Sequence, residues 1–364
     1  MTLPLDLANE TRDSRSETGL KAVRIYQHGG VEKLLYEEAP DPKLIAPTDA
    51  IVKLKAASVN DIDIGIRRGL SNTKVRFPHI LGCDGAGIVV ETGAEVRNIK
   101  PGDAVCLYPF SGCGQCEFCA TDREFMCIEL RLLGEHAEGT YSDRVRWSAK
   151  NCFSIPAGFS FDEAAALPLV YVTVWRMLVT HATVKPGEHV LIRGIGGGIA
   201  AAALQIAAQF GSHVIVTSSS EEKLAQAKAW GAERGINCRA ADFPREVRQL
   251  TGKRGVDVVV DCLGGDGWAK SLACLAKGGR LVSCGATTGT TPQTDIRRIF
   301  WNHLKIFGSR LGSREEFMQV LTFMETSGTK PIMDRVFALR EAPAAQQRLE
   351  KDKPFGKILL RIDE

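Results

Sequence analysis

No stretch of this 364-residue chain stays apolar for the roughly 20 residues a membrane-spanning helix needs; glycine, proline or a charge interrupts every run. The opening MTLPLDLANETRDSRSETG lacks the basic and apolar regions of a secretory signal and reads as a polar leader over residues 1–20. A basic run interleaved with aromatics is also missing. With 46 Lys and Arg against 43 Asp and Glu, the charge is nearly balanced, which argues against nucleic acid as a partner. Aromatics make up only 7%, yet 44% hydrophobic residues suffice for ordinary buried cores, and the length suits about two domains. A disulfide framework is not indicated either. The eleven cysteines are an odd number, and seven stand singly among apolar runs, the pattern of reduced thiols in a cytoplasmic protein.

The other four cysteines lie in one short stretch, GCGQCEFCATDREFMC. Cys113, Cys116, Cys119 and Cys127 are spaced C-x2-C-x2-C-x7-C, with Gly112 and Gly114 allowing tight turns. Four thiolates satisfy tetrahedral zinc, and so dense a cluster points to a metal rather than to four independent thiols. The spacing offers neither a second distant pair nor histidines, so a zinc finger does not fit. If all four cysteines bind, no coordination position is left open, and the site is structural. The chemistry must then lie elsewhere.

From about Pro186 the pattern alternates. HVLIRG, HVIVTS, VDVVVD and RLVSCG read as strands, and the runs after GIGGGIA, at EEKLAQAKAWG and near Trp268–Lys277 read as helices. Such alternation predicts a doubly wound parallel sheet. The glycine loop stands between a strand and a helix, the context that makes a dinucleotide fingerprint credible. Gly194 and Gly197 permit the turn and the close approach of a pyrophosphate, while Gly196, Gly198 and Ile199 complete the loop and open the helix. Ala200 stands where a third glycine often sits. The second strand ends in Thr217-Ser218-Ser219-Ser220 and lacks the acid that commonly takes the ribose hydroxyls of NAD. Ser218, Ser219 and Lys223 offer donors and positive charge for a 2′-phosphate instead, so NADP(H) is the expected cofactor. Ser219 and Glu222 also have capping-box spacing, which is compatible with that role.

Nearly the whole chain resembles the zinc-containing alcohol dehydrogenase, or medium-chain dehydrogenase/reductase, superfamily. ASVNDIDIGIRRG, PHILGCDGAGIVVETG, KPGDAV, the cysteine lobe, LPLVYVTVWRML, GIGGGIA, DCLGG, GGRLVSCGATTG and GKILL carry the likeness. It implies a GroES-like β-barrel domain over 21–165 with a structural-zinc lobe at 112–128. A Rossmann domain follows over 166–310, and 311–364 returns to the first domain. The family's catalytic zinc ligands fall on Asn60, Cys83 and about Leu169, of which only Cys83 is a good ligand. Asp61, Asp84 or His136 could join Cys83 in an unusual site.

The pattern is similar to the branch of quinone oxidoreductases and enoyl-thioester reductases, here with the structural zinc retained. Hydride transfer without a catalytic zinc favours an acceptor that spreads its charge, such as an α,β-unsaturated carbonyl, an enoyl thioester or a quinone. Asn60, Asp63, His136 and Tyr171 are the candidate catalytic residues. Each also has a plain structural reading: turn bonding for Asn60, pairing with Arg67 or Arg68 for Asp63, loop bonding for His136 and core packing for Tyr171. By resemblance, Thr173, at the start of the helix under the nicotinamide, joins Gly285, Ala286, Phe307, Gly308, Ser309 and Lys357 in contacting the cofactor. The resemblance also implies a homodimer, or a tetramer, paired through the strand near Leu304–Gly308. A zinc alcohol dehydrogenase with atypical ligands and a non-catalytic cofactor-binding protein stand as the alternatives.

Overall fold

The computed structural model describes residues 19–69, 75–352 and 354–362; most of the 1–20 leader lies outside this range. Two sheets position the candidate site.

The first sheet centres on the eleven-residue strand Asp49–Val59, whose apolar residues are buried on both faces. It pairs antiparallel with Asp84–Thr92, Arg144–Ser148 and, from the far end of the chain, Lys357–Arg361. Ala104–Leu107, Cys152–Ser154 and Met333–Ala338 complete its seven strands. Close pairing needs Gly87, because a Cβ there would lie 2.1 Å from the Lys53 carbonyl oxygen. Register decides what meets at one end of the sheet. Ser58 stands opposite Asp84, and Val59 opposite Ile358, so Asn60 and Lys357 become neighbours.

The second sheet has six strands, every neighbouring pair parallel. Its order is Arg234–Asn237, His213–Ser218, His189–Ile192, Val256–Val260, Leu275–Ser283, Lys305–Gly308. In chain order that is third, second, first, fourth, fifth, sixth, the dinucleotide-binding arrangement. Its central strands are short Val, Ile and Leu runs buried on both faces, as a helix-covered parallel sheet requires. The helix Gly198–Gln209 is alanine-rich and mostly buried; its small side chains let it pack against the helix Pro168–Trp175.

Three local expectations change. The strand Arg234–Asn237 and the helix Phe243–Leu250 give no clear sequence signal, because the strand buries only Ile236 and the helix only Phe243 and Val247. The helix after the second strand starts at Glu221 and is capped by Ser220, whose Oγ accepts the Lys223 N–H, so Ser219 is not the cap. Thr173 lies inside a helix that begins at Pro168, not at its start.

No described helix is long and apolar enough to cross a membrane. One buried charge ties the two ends of the chain together. Arg67 is fully buried and donates to Gln346 Oε1 at 2.7 Å, Glu350 Oε1 at 2.7 Å and the Gly29 carbonyl at 2.9 Å. Asp63 takes no part in that pairing, contrary to expectation. Removing one partner of such a buried pair typically costs about 3–5 kcal/mol. Arg67→Ala should therefore lower the unfolding free energy by about that much in a urea titration, and a loss under about 1 kcal/mol would show that the pair does not brace the fold.

Candidate active site

At the end of the first sheet a polar cluster is sealed from solvent. Asn60, Asp84, Ser58 and Lys357 are all buried. Lys357 Nζ donates to Asn60 Oδ1 at 2.5 Å and to the Val59 carbonyl at 3.2 Å, and reaches Asp84 Oδ2 at 3.4 Å. Asp84 Oδ2 also accepts from Ser58 Oγ and from Asn60 Nδ2, each at 2.8 Å. Asp84 Oδ1 accepts the Leu169 N–H at 2.9 Å, which joins the helix Pro168–Trp175 to the cluster. The second amide hydrogen of Asn60 points to Cys83 Sγ at 3.4 Å. Three N–H groups on Lys357 and two on Asn60 are thereby engaged.

This cluster corrects two assignments. Asn60 has no donor left for a substrate. Lys357 turns its head away from the glycine loop, although its stem lies beneath it: a methyl at Gly198 would sit 3.0 Å from Lys357 Cδ. The donor set does not suit a second metal. Cys83 is buried, and its sulfur is engaged by the Asn60 amide at 3.4 Å. Asp84 is saturated by donors. Among the described residues, the only group of three or more His, Cys, Asp or Glu side chains with converging ligand atoms is the four-cysteine cluster.

Asp63 is buried and closes the helix Asp61–Arg68, accepting from the Asn60 N–H at 2.8 Å and from Tyr141 OH at 3.0 Å. Its other oxygen has no partner among the described residues. Burial is the main reason its carboxyl is pushed up to about 7. Tyr171 is a core aromatic, bonded through its hydroxyl to Gln205, and burial raises its pKa, so it offers no proton to a substrate. His136 Nδ1 accepts the Leu132 N–H at 3.2 Å, and the ring lines a recess of about 600 Å³ with Cys113 and Arg131, beside the cysteine lobe. It makes no bond with the Asn60 cluster. Asp61, a candidate metal ligand by sequence, joins no cluster of converging ligand atoms among the described residues. It stands at the first turn of its helix, open to water but hemmed in by protein, and this desolvation raises its pKa.

At the glycine loop, Gly194 at φ +69° and Gly196 at φ +146° take conformations that disfavour side chains. Gly197 precedes the helix Gly198–Gln209 and has open space where a Cβ would lie, leaving the helix N-terminus clear for an anion. Thr217 Oγ1 fixes the loop by accepting the Gly194 N–H at 3.1 Å. Lys223 sits over it, since a methyl at Gly196 would be 2.9 Å from Lys223 Nζ. Ser218 is buried and accepts the Ser220 N–H at 3.1 Å, whereas Ser219 is exposed. Gly285 and Ala286 are exposed beyond the strand Leu275–Ser283. Phe307 stacks on His181 with centroids 5.4 Å apart. Gly308 pairs with Ser283, and Ser309 is buried with a hydroxyl that has no partner among the described residues. This surface, at the carboxyl ends of the parallel strands, fits a dinucleotide.

In the cysteine lobe the ligand sulfurs all lie within 4.8 Å of one another. Cys113 and Cys119 are 4.0 Å apart, and Cys116 and Cys127 are 3.7 Å apart. Sulfurs about 2.3 Å from a tetrahedral zinc are separated by about 3.8 Å, so the set fits that ion. Gly112 is required by crowding, because a Cβ would lie 2.5 Å from Cys119 Sγ. Glu124, within the lobe, accepts from Lys150 at 3.2 Å and pairs with Arg314 at 2.9 Å, tying the lobe to the helix Arg314–Ser327.

Residues 46–157 match the family model of the alcohol dehydrogenase GroES-like domain, and 198–326 match that of the zinc-binding dehydrogenase. A zinc-type alcohol dehydrogenase-like protein of Schizosaccharomyces pombe is 33% identical over 341 residues, 92% of this chain and 96% of its own. The chain belongs to the zinc-containing medium-chain dehydrogenase/reductase superfamily. A solved NAD-dependent alcohol dehydrogenase, 38% identical, matches with a TM-score of 0.90 over 94% of this chain and 100% of its own. A crotonyl-CoA carboxylase/reductase, 26% identical, has a TM-score of 0.89 over 94% of this chain and 88% of its own. The chain is thus an oxidoreductase of this superfamily, with a GroES-like domain and a Rossmann-like parallel sheet.

Two outcomes test the electrostatics and the lobe. An unfolded aspartate titrates near 4, and folded Asp63 near 7. Between these values the folded state holds a proton that the unfolded chain has released, so this group makes stability fall as pH rises from about 4 to about 7. Asp63→Asn should flatten that fall in urea midpoints, and an unchanged slope would contradict the assignment. Prolonged chelation should lower Tm by several degrees if a metal holds the lobe together, as should Cys119→Ser. An unchanged Tm in both would show that the lobe is indifferent to metal.

Proposed function

We propose that this protein is an NADPH-dependent reductase that delivers hydride to an activated acceptor: an α,β-unsaturated carbonyl, an enoyl thioester or a quinone. One observation carries the reading. A buried lysine–amide–carboxylate cluster includes Asn60 and bonds Cys83 Sγ and the Leu169 N–H, the three positions that family resemblance gives to catalytic-zinc ligands. The ammonium of Lys357 is neutralised by Asp84, so the cluster supplies no strong Lewis acid to polarise a simple ketone. An acceptor that disperses its own charge needs none. The one zinc per chain is held by Cys113, Cys116, Cys119 and Cys127 and is structural.

When bound, the cofactor supplies a hydride to the acceptor carbon. The residues of this chain do the rest. Gly194 to Gly198 and the following helix N-terminus seat the pyrophosphate. Ser219 and Lys223 take the 2′-phosphate, helped by the exposed Arg239, which follows a residue bonded to the Ser218 carbonyl (Cys238 N to Ser218 O, 2.9 Å). Gly285, Ala286 and Ser309 border the nicotinamide. Thr173 is held by its bond to the Leu169 carbonyl at 2.7 Å and lines the inner wall. Asp61 stands at the first turn of the helix Asp61–Arg68 with no bonded partner among the described residues, and we assign to it the delivery of the proton that completes reduction.

The strand Lys305–Gly308 is an open sheet edge, with Ile296 (71%), Phe300 (62%) and Trp301 (70%) exposed nearby. A second copy paired across this edge gives the homodimer, and two such dimers a tetramer.

A substrate panel read by NADPH absorbance should give turnover with enones, enoyl thioesters or quinones at least about 10²-fold above simple aldehydes. A preference for simple alcohols and aldehydes would favour the alcohol dehydrogenase reading, and inertness throughout a non-catalytic one. Asp61→Asn should lower kcat about 10²-fold, and unaltered kcat would remove Asp61 from the mechanism. Lys223→Ala should weaken NADPH about tenfold while leaving NADH nearly unchanged, and tighter NADH than NADPH binding by the parent protein would overturn the cofactor assignment.

A further inference from the structure

A pair of thiols lies outside both the cysteine lobe and the sealed cluster. Cys262 follows the strand Val256–Val260, and Cys284 follows the neighbouring parallel strand Leu275–Ser283. Val260 is in register with Val282, and the Asp261 N–H continues the ladder to the Val282 carbonyl at 3.0 Å. Each cysteine stands two residues beyond that pair, and the two sulfurs are 3.3 Å apart. Neighbouring strands run about 4.7–4.9 Å apart. A disulfide accepts Cα separations of about 4.4–6.8 Å, a range that includes the spacing of neighbouring strands.

The pair is half-buried, at the carboxyl end of the sheet. No third ligand atom converges on the two sulfurs among the described residues, so metal binding lacks a donor set. The thiols are inequivalent. The two sulfurs are in hydrogen-bond contact, with either able to donate, and that contact lowers the pKa of Cys262 and raises that of Cys284. A thiolate is the species that attacks peroxide.

We propose that Cys262 and Cys284 are a reversible oxidation site, in which a hydroperoxide converts the vicinal dithiol to a disulfide across the two strand ends. The Cys262 thiolate attacks one peroxide oxygen. The O–O bond breaks, water leaves after protonation, and Cys262 becomes a sulfenic acid. Cys284 sulfur then attacks Cys262 sulfur, expelling a second water as the S–S bond forms. In sum, two thiols lose two electrons and two protons to one hydrogen peroxide, giving two waters. The bridge joins two loops that border the cofactor surface. Leu263, next to Cys262, packs on the glycine loop, where a methyl at Gly194 would meet it at 2.8 Å. Gly285 and Ala286 directly follow Cys284. This inference is independent of which acceptor the enzyme reduces.

The test treats the full-length zinc-bound protein with one equivalent of hydrogen peroxide, alkylates the remaining thiols and maps peptides by mass. Expected is a cross-linked pair containing Cys262 and Cys284, lighter by two hydrogens, resistant to alkylation and restored by dithiothreitol. The exposed, unpaired Cys238 serves as internal reference and should remain alkylatable. In Cys284→Ser, a dimedone adduct should accumulate on Cys262. Full alkylation of both cysteines at a dose that oxidises Cys238 would overturn the proposal. So would a bridge formed with other partners, a result the unmutated protein gives even if the variant fails to fold.

Discussion

The buried ammonium of Lys357 is the constraint on which the rest of the candidate site depends. A charge out of water must find oxygen partners, and this one finds the Asn60 amide, the Val59 carbonyl and the Asp84 carboxylate. Lys357 and these partners come from three adjacent strands, that of Lys357 from the far end of the chain. Their register therefore fixes the electrostatics as well as the packing. Asp84 in turn holds the helix Pro168–Trp175 through the Leu169 N–H, so the wall of the cofactor cleft is anchored to the same four side chains.

The cleft follows from this anchoring. The Lys357 stem lies under Gly198, at the N-terminus of the helix that would face the pyrophosphate. The glycine loop and the polar cluster are thus linked by one side chain that reaches from the first sheet to the second. The cysteine lobe contributes at a distance: Glu124 grips Arg314, and Arg176 lies 3.8 Å over the Phe125 ring. A closed tetrahedral metal site is suited to such a role because it holds loops without offering an open position.

Much of this was legible in the residues. The strand–glycine–helix pattern located the parallel sheet and the cofactor surface, since periodicity and turn chemistry are local properties. The cysteine spacing located the lobe for the same reason. Side-chain partners were not legible. Asn60 was read as a donor, but its amide is consumed by Asp84 and Cys83, which strand register brings to it. The sequence suggests a cofactor contact at Lys357, but its head turns to the Asn60 amide oxygen and Asp84, which strand register places beside it. Tyr171 was read as a possible acid, yet it is held in the core by Gln205, 34 residues along the chain. His136 was placed by motif alone, and its loop bonds locally instead. Asp61 stands in the sequence only as a candidate ligand, because nothing local marks an exposed carboxyl that the fold hems in with protein.

The central claim is that the lysine–amide–carboxylate cluster occupies the place of a catalytic metal. Zinc content per chain tests it most directly, measured by elemental analysis of the protein before and after Cys83→Ala. The account predicts one zinc per chain in both. Two zincs per chain, falling to one when Cys83 is removed, would contradict it.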